Sequence, residues 1–253
     1  MSMRGRVLSD RSTDVNYGLA IDHALLLLNP QSDYFTTIRF WSNPSSVILG
    51  RGQKLSEEVN QAFCMDNQIQ IARRITGGGA VYHDEGNLNI SLLIPKTALE
   101  NPDDIKETTS RLTNLLKESL EVSGVENIRV DDTHSLLYQD HKVSGAAAYF
   151  TKETILHHST LLLAADLKKL EGSLIHHLEP ERGRSKYKPT TNLTNLQTET
   201  WKKKYLEQIS NAFNVSFQPG VITPEETALA TKLRESLYSK PNWIINGVRP
   251  TNL

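Results

Sequence analysis

Hydrophobic and polar positions alternate along this chain with two periods, and the change from one to the other predicts its elements. Over residues 16–29, Leu and Ala fill most of one side of a helical period. TTIRFW and SSVILGR follow as two short strands separated by Ser42-Asn43-Pro44, a turn-forming run. Residues 56–66 read as one helix, with Ser56 as N-cap of an acidic first turn at Glu57 and Glu58. QIQIARR alternates like a strand and runs directly into Gly77-Gly78-Gly79, and LNISLLIP is a further strand ending at Pro95. Residues 103–123 form the longest helical stretch, closed by Gly124. Three strand-like runs come next (127–130, 135–138 and 141–149), then an apolar strand over 155–164 and a short helix capped by Asp166.

Residues 174–198 break the pattern. They are polar, basic and rich in Pro and Gly without a period, which predicts a surface loop, and loops of that length are usually functional. Two helices follow, over 200–213 and 224–238. The second opens with a capping box of Thr223, Pro224 and Glu226. There is no internal repeat and no βαβ regularity, so the expectation is one α+β domain over 1–253, a mixed β-sheet with flanking helices.

Composition narrows the class. Of 253 residues 38% are hydrophobic and 23% charged, the profile of a soluble globular chain with a sizeable core. A net charge of −1 demands no nucleic-acid or membrane partner. The N-terminal residues lack the apolar core of a secretion signal, and the apolar run 24–28 is too short to span a bilayer. A single cysteine excludes an internal disulfide and a Cys-based zinc cluster. A cytoplasmic location is expected.

The segment Arg73-Arg74-Ile75-Thr76-Gly77-Gly78-Gly79-Ala80-Val81-Tyr82-His83-Asp84 carries the most chemistry. Consecutive glycines after a strand let the backbone turn sharply and approach a ligand. Their N–H groups can form a nest for an anion, and the arginines upstream supply charge and planar donors. No GxxxxGK[ST] is present and no helix pattern follows, so neither a P-loop nor a dinucleotide fingerprint applies. A glycine-rich hairpin with solvated arginines remains open on these residues alone.

RRITGGGAVYHDEGNLNIS resembles the signature of the lipoate–protein ligase family, approximately RRxSGGGAVxHDxGNxN. Lys142-Val143-Ser144-Gly145-Ala146-Ala147 is similar to the family's KxSGxA, and His158-Ser159-Thr160-Leu161-Leu162-Leu163-Ala164-Ala165-Asp166-Leu167 to its HGTLLxNxDL. Thr194-Asn195-Leu196 sits where the family carries a VTNL-like segment. The motifs occur in family order across nearly the whole chain.

The resemblance implies the catalytic-domain fold of biotin ligases and class II tRNA synthetases, and a reaction in two halves. Lipoate attacks the α-phosphate of ATP, giving lipoyl-AMP and pyrophosphate; a lysine of a lipoyl-carrier domain then takes the acyl group. The implied carriers are a 2-oxoacid dehydrogenase E2 subunit or the glycine-cleavage H protein. It places ATP or lipoyl-AMP at Arg73, Arg74, Gly77, Gly78, Gly79, Ala80, Val81, Tyr82, His83, Asn87, Lys142, Ser144, Gly145 and Ala146. Arg74 and Lys142 are the catalytic pair, and His158 and Thr160 border the lipoate pocket. Magnesium (Mg2+) is implied, with Asp132 as its ligand, although VDDTHS departs from the family's ND-type pattern. The basic loop residues Arg182, Arg184, Lys186 and Lys188 are expected to fold over the adenylate phosphate.

Full-length family members carry a small C-terminal accessory domain, and no room for one is expected after the last helix, so a separate accessory subunit is implied. A first alternative is an ATP-independent octanoyl- or lipoyl-transferase with a cysteine nucleophile. Cys64 is the only candidate; it lies away from the family's nucleophile positions and reads as a small buried hydrophobe. A biotin ligase is disfavoured because Gly50-Arg51-Gly52 is only a fragment of a GRGR motif, and a non-catalytic lipoate-binding subunit is the remaining alternative. The histidine pairs His157/His158 and His176/His177 read as structural, since neighbours on a strand face opposite ways.

Overall fold

The computed structural model describes residues 2–178 and 185–250. It opens with β1 (Met3–Arg11), a strand that the hydrophobic pattern does not announce because only Gly5, Arg6 and Leu8 of it are buried. Helix α1 (Val15–Leu28) starts where the Asp14 carboxylate accepts the N–H groups of Asn16 and Tyr17. Strands β2 (Thr36–Ser42) and β3 (Ser46–Leu49) follow.

The helix expected over 56–66 is two short ones, α2 (Leu55–Glu58) and α3 (Gln61–Asp66). Lys54, not Ser56, is the first N-cap. The break falls at Val59 and Asn60, where Asn60 N–H donates to Ser173 and its side chain caps the Phe63 N–H. Strands β4 (Gln70–Arg73), β5 (Val81–His83) and β6 (Asn87–Pro95) then lead to α4 (Ile105–Glu121), capped by Asp104 and followed by Gly124 at φ +88°.

Strands β7 (Ile128–Val130) and β8 (Leu136–Tyr138) precede β9 (His141–Ser144) and β10 (Ala146–Phe150). The run expected over 141–149 therefore divides at Gly145 and serves two sheets. After β11 (Thr154–Leu162) comes α5 (Leu167–Ser173), capped by Asp166 as expected. The chain continues through α6 (Thr198–Phe213), β12 (Val215–Pro219), α7 (Pro224–Leu233) and α8 (Pro241–Asn246). The capping box of Thr223 and Glu226 is formed.

The main sheet is mixed, in the order β10-β11-β6-β2-β1-β12, with β1 parallel to both β2 and β12 and the remaining pairs antiparallel. Its central strands β2, β6 and β11 are buried on both faces, which explains their continuous apolar runs. Leu93, Leu156 and Trp41 face α1 and α7, while the alternate residues Leu92, Ile155 and Phe40 face α4 and α6. A small sheet β4-β3-β5 packs against α3 and α5 around Val47, Cys64 and Tyr82, and a third sheet runs β7-β8-β9. Glu226 closes its capping box and also pairs with buried Arg6, which fastens α7 to β1. No helix among the described residues is long and apolar enough to cross a membrane.

Candidate active site

The three sheets meet around a cavity of about 510 Å³. One bank is the β4–β5 connection. Adjacent residues of a strand point to opposite sides, and Arg73 and Arg74 therefore part company. Arg73 is wholly buried and donates to the carbonyls of Gly50, Arg51, Gln53, Trp243, Ile244 and Ile245. It clamps α8 to the small sheet and lies outside the cavity lining, away from the place expected of it as a nucleotide contact. Arg74 lines the cavity but uses its donors on the protein: Nε to Thr76 Oγ1 (2.8 Å), Nη1 to Ile48 O, and Nη2 to Gly77 O and Gly79 O. Four guanidinium bonds are thus committed to the protein, three of them shaping the glycine turn and the fourth holding β3. Burial first, and Arg73 second, lower its pKa to about 10.

Within that turn only Gly78 needs positive φ, at +88°. Gly79 is required for a different reason. A Cβ there would lie 2.8 Å from Ser185 Oγ, which accepts the Ala80 N–H at 2.8 Å. Gly77 lies outside the lining, whereas Gly78, Gly79, Ala80, Val81, Tyr82 and His83 form it. His83 is held by Asn43 Nδ2 (3.2 Å), and burial lowers its pKa to about 3. Asn87 is buried behind the wall and donates to Asn89, which takes the lining position instead. Asp84 accepts the Gly86 and Asp166 N–H groups, which ties the HDEGN turn to the start of α5.

The opposite bank is β9 and the returning limb of the 174–198 loop. That limb is stitched to β9: Lys142 N–H donates to Pro189 O (2.7 Å) and Thr191 N–H to Lys142 O (3.1 Å). The Lys142 side chain enters the cavity, and its Nζ makes no hydrogen bond among the described residues. Gly145 leaves room for it, since a Cβ there would stand 3.3 Å from Nζ. Burial is the main cause that lowers its pKa to about 8, with Lys188 and Arg74 adding to it and Asp131 opposing. Lys188 also lines the cavity; it binds the Asp131 carboxylate and Thr133 Oγ1 (2.7 Å). Burial pushes the Asp131 carboxyl up, but hydrogen bonds from Lys188, Thr133 and Ser135 outweigh it and leave it at about 2.

Ser144, Gly145, Ala146, Thr160 and His158 complete this side, with Thr160 Oγ1 accepting the Gly145 N–H at 3.1 Å. His158 turns inward. Its neighbour His157 faces Thr113 of α4, as opposite strand faces require. Apolar wall is supplied by Leu19, Trp41, Ile48, Leu162 and Ile175. The structure thus gathers most of the residues anticipated for the site, but leaves Arg73, Gly77 and Asn87 in supporting positions. Asp132 is exposed and lies outside the lining, and no three metal-ligating side chains cluster among the described residues. Ser185, Trp41 and Asn89 escaped the sequence reading. Ser185 reaches the site only by loop return, and Trp41 carries no signal beyond strand propensity. Lys186 and Lys188 join the lining, while Arg182 and Arg184 lie outside the described residues.

Residues 14–218 match the model of the lipoyl protein ligase A/B catalytic domain. A curated relative named as a lipoate-protein ligase A, from Aeropyrum pernix, is 30% identical over 92% of this chain and 89% of its own. Among solved structures, a lipoate protein ligase of Thermoplasma acidophilum superposes with TM-score 0.82 at 27% identity. It is known with bound lipoic acid and as part of a bi-partite ligase system with its E2 lipoyl domain; the two structures cover 96% and 99% of this chain and 100% of theirs. A lipoate-protein ligase A bound with ATP also gives 0.82, at 26% identity over 97% of this chain and 100% of that one. With a match across most of its length and the motif-bearing segments gathered on one cavity, the chain belongs to the lipoyl protein ligase A/B catalytic domain family.

Proposed function

We propose that the protein activates lipoate with ATP to lipoyl-AMP and transfers the lipoyl group to a lysine of a lipoyl-carrier domain. The observation that carries this is Lys142, a cavity cation without a hydrogen-bond partner among the described residues, beside an Arg74 whose guanidinium is already fixed. In the first half-reaction a lipoate carboxylate oxygen bonds to the α-phosphorus, the bond to the β-phosphate oxygen breaks, and pyrophosphate leaves. Negative charge accumulates on the non-bridging oxygens, where Lys142, whose Nζ has no hydrogen bond to give up among the described residues, can offset it. In the second half, an unprotonated carrier amine adds to the acyl carbon and AMP departs.

Relatives solved with lipoic acid and with ATP support both substrates, and the bi-partite system with its E2 domain supports the carrier. The same system is the ground for assigning a separate accessory polypeptide, with the present chain acting as one catalytic domain. Magnesium would accompany the phosphates of ATP. Nucleotide-bound Mg2+ needs only one or two protein carboxylates beside the phosphates, and exposed Asp132, just outside the cavity lining, would be the side chain to supply one. A transferase reading lacks its nucleophile: Cys64 is buried in the small-sheet core, its Sγ 3.9 Å from Ser173 O, and burial pushes its thiol up.

Intact mass of an added lipoyl domain tests the proposal, with either Mg-ATP plus lipoate or preformed lipoyl-AMP supplied. Modification from ATP is the full ligase. Modification from the adenylate alone establishes the transfer half and the need for a partner. An unmodified carrier in both arms overturns the ligase reading.

A further inference from the structure

Asp22, on α1, does not line the cavity, yet three side chains that do are tied to it. Its Oδ2 accepts from Ser91 Oγ (2.6 Å), which accepts from Trp41 Nε1 (2.9 Å). The same oxygen lies 3.7 Å from His158 Nδ1. His158 Nε2 is 2.8 Å from Thr76 Oγ1, and Thr76 Oγ1 receives Arg74 Nε at 2.8 Å. From behind, Arg39 Nη1 donates to Asp22 Oδ1 (2.7 Å), and its guanidinium lies over the Trp41 ring at 4.2 Å.

Proton positions follow from this connectivity. Arg74 can only donate, so the Thr76 oxygen accepts from it and the Thr76 hydroxyl hydrogen is available to His158 Nε2. A neutral imidazole carries one proton, and with Nε2 accepting, that proton sits on Nδ1, facing Asp22. Burial lowers the His158 pKa and outweighs Asp22, which pulls it the other way. Charge balance around Arg39 does not by itself require Asp22: Asp10 already binds that guanidinium twice, at 2.7 Å from Nε and 2.7 Å from Nη2. The oxygen of Asp22 that Arg39 leaves over is spent on the site.

We propose that Asp22 is the positioning residue of this cavity, fixing the Nδ1–H tautomer of His158 and so, through Thr76, the Arg74 guanidinium, and, through Ser91, the Trp41 indole. The two arms have different duties. The Thr76 arm acts where phosphate charge develops, and the Ser91 arm holds an apolar wall that the acyl chain touches. The kinetic duties rest on the ligase function proposed above, whereas the tautomer does not.

The test combines ring-nitrogen NMR of 15N-histidine-labelled protein with the kinetics of lipoyl-AMP formation. In the wild-type protein His158 should show a protonated Nδ1 and an unprotonated Nε2. In Asp22→Asn the amide oxygen stays with Arg39 and the NH2 group faces His158, so the proton should move to Nε2. Thr76→Val keeps the Asp22–Arg39 pair and carries the test if Asp22→Asn does not fold. It should lower kcat by roughly tenfold or more, with the lipoate KM changed less than about twofold. Ser91→Ala should do the reverse, raising the lipoate KM several-fold at near-constant kcat. A wild-type His158 protonated on Nε2, or a Thr76→Val kcat within about twofold of wild type, would overturn the proposal. A wild-type protein that forms no lipoyl-AMP removes the ligase reading instead, and the tautomer still decides the positioning role.

Discussion

The two banks of the cavity are built on opposite principles. On the glycine bank the arginines are already bonded to the protein: Arg73 to six carbonyls, Arg74 to three carbonyls and Thr76, with the Ala80 N–H on Ser185. On the lysine bank the Lys142 Nζ has no hydrogen bond among the described residues, and Lys188 hangs from one carboxylate and one hydroxyl. The glycine bank supplies shape that is set before any ligand arrives. The lysine bank holds charge in reserve, and reserve charge in a desolvated place costs folding stability while it waits. Strain of that kind is where stability and activity should trade against each other.

The largest expected effect is at Lys142. Lys142→Met should slow lipoyl-AMP formation by about 10²-fold or more, the scale of losing one preorganised charge stabiliser. The same variant should melt at a higher temperature. The sign follows from the lowered pKa: the folded state holds this proton less firmly than the unfolded chain, so the charged lysine destabilises the fold below pH 8. The advantage of methionine should therefore be greatest below about pH 8 and fade as pH rises towards 10.5. Thermal melting across that range decides it; a lower Tm for Lys142→Met at pH 7 would mean that the lysine bank is not a reserve of unpaired charge.

The mirror experiment belongs to the glycine bank. Arg73→Met keeps the unbranched stem of the side chain but strands several buried carbonyls, at a cost of about 3 kcal/mol. Its Tm should drop by roughly 10 °C. At temperatures where the variant stays folded, kcat should hold close to wild type because Arg73 does not reach the cavity. A variant that melts normally and fails in chemistry would move Arg73 back to the ligand.

That arginine also shows how far the sequence could be read. RRITGGGAVYHD marked the neighbourhood of the site, and the caps Asp166 and Thr223 were legible because they act by local hydrogen bonding alone, whereas Asp14 and Asp104 went unread and Ser56 was misplaced. Which of two adjacent arginines faces the ligand depends on how β4 lies against α8, a short helix that the pattern did not announce. Strands β1 and β12 were equally silent. Their apolar positions are few, because β12 is an edge strand and β1 places Arg6 and Gly5 where a central strand would have aliphatic residues. Asp22 lay inside an apolar helix pattern, where a lone acidic residue looks like a surface position. Its burial follows from Arg39 and Ser91, on strands far away in sequence.

The smallest effect expected is also the most specific to the lysine bank. Lys188 and Asp131 act on Lys142 with opposite signs, so removing one partner at a time should move its titration in opposite directions. Lys188→Met deletes a neighbouring cation and leaves the Asp131 carboxylate uncompensated; both changes favour the protonated amine, and the midpoint should rise above about 8. Asp131→Asn removes the counter-charge that acts on Lys142 among the described residues and frees Lys188 to repel, so the midpoint should fall. The amine can be followed by its reactivity towards a small acylating reagent as pH is varied, with the modified peptide quantified by mass. Shifts of opposite sign would show that the charge on Lys142 is set across the bank by the loop that returns over it. Midpoints that stay together would mean that burial alone sets it, and that the Lys188–Asp131 pair serves only to fasten the loop.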